Sequence, residues 1–300
     1  MPVEYFHVVF TLPAEIAEVA FANQRLLYDL LFAAASQTLL EVAADSKHLG
    51  AKIGFLAVLH TWGQNLMHHP HLHCIVPGGG LSKDESRWIS CPRGFFLPVK
   101  VLSRVFRGKF LEGLRQAYSQ GKLYLPETAA WSSPEGFRRL LNQAYACDWL
   151  VYAKPPTGGA EQTLKYLARY THRVAISNSR LAAIDDERVT FRWKDYAHGS
   201  RQKTMSLPGE EFLRRFLVHV LPKGLVKIRS YGFLANRCRR KQLALCRRLL
   251  GAAPPSSSDP RDDADCLPAC PVCGQSQWRA IELLSGLQMW DDSPAIEDSS

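Results

Sequence analysis

The stretch "KIGFLAVLHTWGQNLMHHPHLHCIVPGGG", residues 52–80, decides how this chain is read. Two apolar runs, 52–60 and 71–79, each read as a strand, and the second ends in a Pro-Gly turn signal. Five of the chain's ten histidines fall between positions 60 and 73. In a strand, residues i and i+2 point to one face. His71 and His73 therefore project side by side, while Leu72 and Cys74 face the core behind them. His60 ends the preceding strand, eleven residues before His71. If the two strands are neighbours in one sheet, His60 supplies a third ligand. His68 and His69 are expected in the connecting loop, facing water. A lone His-x-His on a strand is more often a partly exposed pair than a metal site, and the third histidine shifts that balance. Imidazole suits zinc, manganese, iron and nickel more naturally than magnesium. A zinc hydrolase and a phosphoryl-transfer site are both open at this point.

Outward from this stretch, residues 5–12 read as a buried strand, and 14–46 show helical spacing of apolar residues. Residues 87–91 are expected to pair back onto the 71–79 strand as a hairpin. Helices are predicted over 99–120, 134–146, 158–172, 207–222 and 235–251, a strand over 148–156, and a β-meander over 173–196. Strands and helices alternate irregularly with hairpin signals between strands. That predicts an α+β domain with a mainly antiparallel sheet rather than a doubly wound parallel one.

The formal charge is +9 over 300 residues, unevenly placed. The last fifty residues hold nine Asp/Glu and only Arg261 and Arg279, so the first 250 carry a net +16. A basic body with an acidic tail points to a polyanion, nucleic acid first and an anionic membrane second. No cationic n-region followed by an apolar h-region opens the chain. The longest apolar stretch, 26–44, is interrupted by Asp29 and Glu41. Eight scattered cysteines do not form a secreted disulfide framework. A cytoplasmic protein is expected, with no membrane partner.

Tyr166 and Tyr170 lie four apart in "KYLARYTHR". On a helix they share one face. Two amphipathic core tyrosines would show the same spacing. Lys165, Arg169, His172 and Arg173 around them suit a helix laid along phosphates better than a core face. A phenol with a pKa near ~10 needs a metal, a base or a cation to act as a nucleophile.

His-hydrophobe-His on a strand, followed by two tyrosines on a helix, resembles the two-tyrosine HUH endonucleases. More narrowly, "HTWGQNLMHHPHLHCIVPGGGLS", "KYLARYTHRVAISNSRL" and "FLVHVLPKGLVKIRSYGFLANRCRRKQLALCRRLLG" resemble the rolling-circle insertion-sequence transposases of that class. The resemblance runs from Tyr5 to Cys273. It implies an HUH-like central antiparallel sheet flanked by helices, and a divalent ion, Mg²⁺ or Mn²⁺, on His71, His73 and a third ligand. The spacing of His60 also resembles the three-histidine motif of conjugative relaxases; Gln64 and Gln162 are the alternatives. The implied substrate is single-stranded DNA at element ends and targets. One tyrosine becomes 5′-phosphotyrosyl-linked and releases a 3′-OH, and the second permits another cleavage or resolves the first link. No phosphate-loop motif is present, in keeping with chemistry that hydrolyses no nucleotide. The resemblance also places such a protein in a bacterial cytoplasm, at the nucleoid.

Between Phe212 and Ser258 there is no Asp or Glu, but eleven Lys/Arg. Arg229, Arg237, Arg239, Arg240 and Lys241 are candidate DNA contacts there. Tyr231 and Phe233 read either as base-stacking platforms or as core anchors. Cys266, Cys270 and Cys273 form a C-x3-C-x2-C with a zinc-knuckle half, a candidate Zn²⁺ site short of a fourth ligand. The expected organisation is a catalytic domain over 1–206, a basic helical DNA-binding extension over 207–250, a linker over 251–265 and an acidic tail over 266–300. The family pattern usually carries a cysteine-rich zinc-binding module before the "YFHVVFTLP" strand. This sequence opens almost at that strand, so a nuclease core without the module is expected. An HUH replication initiator or relaxase would share the chemistry, and a catalytically inactive DNA-binding remnant would keep only the basic region.

Overall fold

The computed structural model describes residues 1–154, 175–195, 199 and 201–252. These lie in one compact unit, Met1–Ala252. The helix predicted over 158–172, the linker and the cysteine tail lie outside the described residues.

Five strands make the central sheet: β1 (Tyr5–Thr11), β2 (Gly54–Trp62), β3 (His68–Pro77), β6 (Val151–Lys154) and β10 (Ile228–Gly232). Their order is β10-β2-β3-β1-β6, and every neighbouring pair is antiparallel. The period of two in the sequence sorts the side chains. Phe6, Val8 and Phe10 of β1, Phe55, Ala57 and Leu59 of β2, and Leu72, Cys74 and Val76 of β3 all enter the main core. The alternate residues carry the histidines on the opposite face.

Helices α1 (Ala17–Ala22), α2 (Gln24–Ala44), α3 (Val99–Ser119) and α4 (Pro134–Ala146) supply the other half of that core. Phe10 meets Phe106 of α3 edge-on at 4.9 Å between ring centroids, and Phe106 meets Trp149 at 5.1 Å. By length and composition α2 could cross a membrane. Here it carries Asp29 and Glu41 and buries Leu27, Leu31, Phe32 and Leu39 in the core. Ser133 caps α4 by accepting from the Gly136 N–H at 3.1 Å, with Pro134 at the first helical position.

The structure corrects several sequence expectations. The single helix expected over 14–46 breaks at Asn23, which leaves helical backbone (φ −129°, ψ 43°). Its side chain bonds the Tyr124 carbonyl at 3.0 Å and accepts from the Tyr124 N–H at 2.7 Å, an alternative to the helix ladder. The hairpin partner of β5 (Trp88–Ser90) is β4 (Gly79–Leu81), not the 71–79 strand itself. The meander runs later than predicted: β7 (Leu181–Ile184), β8 (Arg188–Asp195) and β9 (Arg201–Pro208). It packs Phe191 and Leu207 against Phe212 and Phe216 of helix α5 (Gly209–Leu217).

Residues 207–250 are not a helical extension alone. They finish β9, form α5 and the basic helix α6 (Arg239–Leu249), and between them contribute β10 to the central sheet. Tyr231 of β10 stacks on Phe55 at 5.1 Å, and Phe233 is buried against Trp88. Both are core anchors rather than base-stacking platforms. At the end of β10, Gly232 takes φ +59°, and a Cβ there would stand 1.8 Å from the Ile53 carbonyl oxygen.

Candidate metal centre

Pairing of β2 with β3 brings the sequence triad together. His60 lies directly opposite His71, and Val58 opposite His73. One ligand atom from each of His60, His71 and His73 lies within 4.8 Å of the other two. The three side chains are 2%, 6% and 0% exposed. Gln64, the alternative third ligand, sits in the 63–67 turn, and Gln162 lies outside the described residues.

Each ring is oriented by its surroundings. The His71 Nδ1–H donates to the His69 carbonyl at 2.7 Å, which turns Nε2 toward the cluster. His73 Nδ1 lies 2.6 Å from Nε2 of His7, with the two rings stacked at 4.9 Å. When His73 Nδ1 carries the proton and donates to His7, His73 Nε2 is left with a lone pair. That atom is buried and has no hydrogen-bond partner among the described residues. An unsatisfied buried polar atom costs roughly 1–3 kcal/mol, which a metal–nitrogen bond would remove.

Burial keeps the cluster neutral. Desolvation lowers His71 to about 3, and lowers His60 and His73 well below the usual imidazole range, with their neighbours' charges adding to the effect. Neutral imidazoles offer lone pairs across the physiological range. Three buried, convergent, unprotonated nitrogens, two of them fixed through Nδ1, fit a divalent first-row ion.

His7 was not singled out in the sequence. A lone histidine in an apolar strand carries no signal by itself. It becomes informative only through register: Val9 lies opposite His73, so His7 is the diagonal neighbour of His73 on the same face. His68 and His69 belong to β3 rather than to a loop. His68 Nε2 lies 2.9 Å from the Tyr28 hydroxyl, so it is built into the fold.

The turn between β2 and β3 is held from outside. Arg180 donates to the Gln64 carbonyl, Arg215 to that of Asn65 at 3.3 Å, and His219 Nε2 lies 3.1 Å from that of Leu66. Leu66 is fully buried with φ +61°, a left-handed conformation that costs a leucine roughly 1–2 kcal/mol.

Of the expected DNA contacts, Arg237, Arg239, Arg240 and Lys241 are exposed at or on α6. That helix turns Cys246 into a small core with Phe233 and Leu81. Arg229 is placed differently. Its guanidinium pairs with Asp29 at 2.5 Å and lies 4.0 Å over the Phe32 ring, tying β10 to α2. Tyr166, Tyr170, Lys165, Arg169, Arg173, Cys266, Cys270 and Cys273 lie outside the described residues.

Comparison with known proteins gives these observations a family. A "Putative transposase y4qJ" of Sinorhizobium fredii (strain NBRC 101917 / NGR234) is 54% identical over 306 residues, covering 97% of this chain and 77% of that protein. The "Transposase for insertion sequence element IS801" of Pseudomonas savastanoi pv. phaseolicola is 33% identical over 239 residues, covering 77% of this chain and 54% of that protein. Among solved structures, the conjugative relaxase TrwC in complex with oriT DNA overlaps 55% of this chain and 71% of its own, at 12% identity and a TM-score of 0.30, too slight a likeness to bear on function. Residues 54–242, which include β2, β3 and the whole triad, match the family described as "Putative transposase", and the chain belongs to that family.

Proposed function

We propose that this protein is a transposase that cleaves and rejoins single-stranded DNA through a 5′-phosphotyrosine intermediate, in the manner of rolling-circle HUH enzymes. The observation that carries the reading is the convergence of His60, His71 and His73 as buried, neutral imidazoles on one sheet face. Membership of a transposase family supports it. His60, His71 and His73 would hold the ion, Mg²⁺ or Mn²⁺, with imidazole favouring Mn²⁺ of the two. When bound, the ion supplies electrophilic polarisation of the scissile phosphate.

In this reading Tyr166 or Tyr170 is the nucleophile. The phenol oxygen forms a bond to phosphorus as its proton leaves, and the bond to the 3′ oxygen breaks. The 3′ oxygen takes up a proton and departs as a 3′-OH. One phosphoester replaces another, so no nucleotide is consumed. The second tyrosine repeats the step on a second phosphodiester. The exposed cations Arg237, Arg239, Arg240 and Lys241 supply sequence-independent attraction to the DNA backbone. A zinc ion at Cys266, Cys270 and Cys273 remains a separate proposal from sequence.

The test is a covalent adduct. Labelled single-stranded oligonucleotides carrying candidate element ends are incubated with the protein and Mn²⁺, then resolved under denaturing conditions. Adduct from the wild type and none from the Tyr166→Phe/Tyr170→Phe double variant is expected. An adduct that survives the double substitution removes the tyrosines from the chemistry. No adduct with any end sequence favours an inactive DNA-binding protein.

A further inference from the structure

Two cations at the start of β10 and just before it reach different parts of the molecule. Arg229 reaches α2, where Asp29 neutralises it. Lys227, just before the strand, goes elsewhere. Its backbone is fixed, because its carbonyl accepts from the Leu59 N–H of β2 at 3.0 Å. Its ammonium lies 5.1 Å from the centroid of the Trp62 ring. Trp62 in turn stacks on His60, with centroids 5.1 Å apart and planes 12° from parallel. An ammonium, an indole and a triad imidazole therefore follow one another along this end of β2.

The electrostatics agree with the geometry. The Lys227 charge is among the causes that lower His60, after burial and His71. Lys227 itself is pulled down to about 8 by burial. An ammonium over Trp62, the ring that stacks on His60, adds positive charge at the rim of the histidine cluster. The triad brings no carboxylate of its own, so charge gathering on a phosphate under attack has to be met by the ion and by neighbouring cations. Lysine suits this task as a compact point charge, and the indole face holds it without competing for the anion.

We infer that Lys227 is a phosphate-positioning residue of this centre, its ammonium pairing with a non-bridging oxygen of the phosphodiester held at His60, His71 and His73. The inference rests on the function proposed above. It makes Lys227 distinct from the cations of α6, whose attraction to DNA is general.

Lys227→Gln, Lys227→Met and Lys227→Arg separate this role from a structural one. Without DNA, loss of the ammonium should leave Mn²⁺ binding, read by calorimetry, unchanged or slightly tighter, because a positive neighbour is gone. Adduct formation on single-stranded oligonucleotides should fall about 10²-fold in the Gln and Met variants, and Lys227→Arg should recover most of it. The slope of log affinity for the oligonucleotide against log salt should shrink by ~0.7, the share of one phosphate contact. Met keeps the stem over Trp62, so it covers the case in which Gln disturbs folding. Weaker Mn²⁺ and weaker DNA binding together, an unchanged salt slope, or an Arg variant as poor as Gln would overturn the assignment. Wild-type adduct with an equal rate in Lys227→Gln sinks this inference alone. Absence of adduct from the wild type sinks the proposed function, and the salt slope and Mn²⁺ affinity still decide the role of Lys227.

Discussion

The two faces of β3 differ in kind. Leu72, Cys74 and Val76 enter a core of aromatic and aliphatic side chains from α2 and α3. One residue away in each case, His71, His73 and Ile75 face the other side, where two of the three are polar and buried. The first face gains from every buried apolar atom, at roughly 25 cal/mol per Å². The second carries buried nitrogens, at least one, Nε2 of His73, without a hydrogen-bond partner among the described residues, and such an atom costs stability. Side chains on one strand thus divide between packing the core and forming the histidine cluster, and substitutions should divide the same way.

The sharpest break is expected on the histidine face. His71→Ala together with His73→Ala should abolish measurable Mn²⁺ binding by calorimetry while the unfolding midpoint of the metal-free protein stays or rises. A large loss of stability in that variant would mean that the histidines serve the core. On the helix face, Phe106→Ala should cost about 3–5 kcal/mol in urea unfolding, with the Mn²⁺ stoichiometry of the folded fraction unchanged. If Mn²⁺ binding vanished with Phe106, the two faces would not be separable.

His7→Ala tests the orienting bond behind the triad. Losing the partner of His73 Nδ1 should weaken Mn²⁺ about 10- to 100-fold, with His7→Gln, which can still accept a hydrogen bond, in between. Equal affinity in all three proteins would make the 2.6 Å contact irrelevant to the site.

The effect of pH is spread over several units. An unfolded histidine takes its proton near ~6.5, whereas folded His7 takes one only at about 4 and His71 at about 3, both because of burial. Between those values the unfolded chain binds more protons. Stability of the metal-free protein should therefore be complete above pH 6.5 and fall as pH is lowered toward 3, by up to ~1.4 kcal/mol per pH unit for each such histidine. Urea midpoints at pH 7, 6, 5 and 4 measure this. A flat profile would show that the histidine face is open to water.

Much of this comparison was legible in the sequence, because alternation in a strand is local. The His71–His73 pair and the core place of Cys74 follow from a period of two, and His60 joins them on the condition that the two strands are neighbours, which the β2–β3 register meets. What stayed hidden depended on residues far along the chain. Asn23 breaks its helix for a backbone 101 positions away. His7 needed the register of β1 on β3. "IRSYG" of β10 is short and polar, and only its pairing with β2 makes it a strand. Arg229 looked like a free cation until Asp29, 200 positions earlier, was placed beside it.

The three side chains that hold the β2–β3 turn carry a consequence for the order in which the molecule is made. The hairpin closes over a short turn, at small entropic cost, soon after residue 77 has been synthesised. Its turn carbonyls meet Arg180, Arg215 and His219 only after another hundred residues or more have been added. Until then water must satisfy them. A ribosome stalled before residue 180 would display the histidine triad on a hairpin whose turn these three side chains do not yet brace.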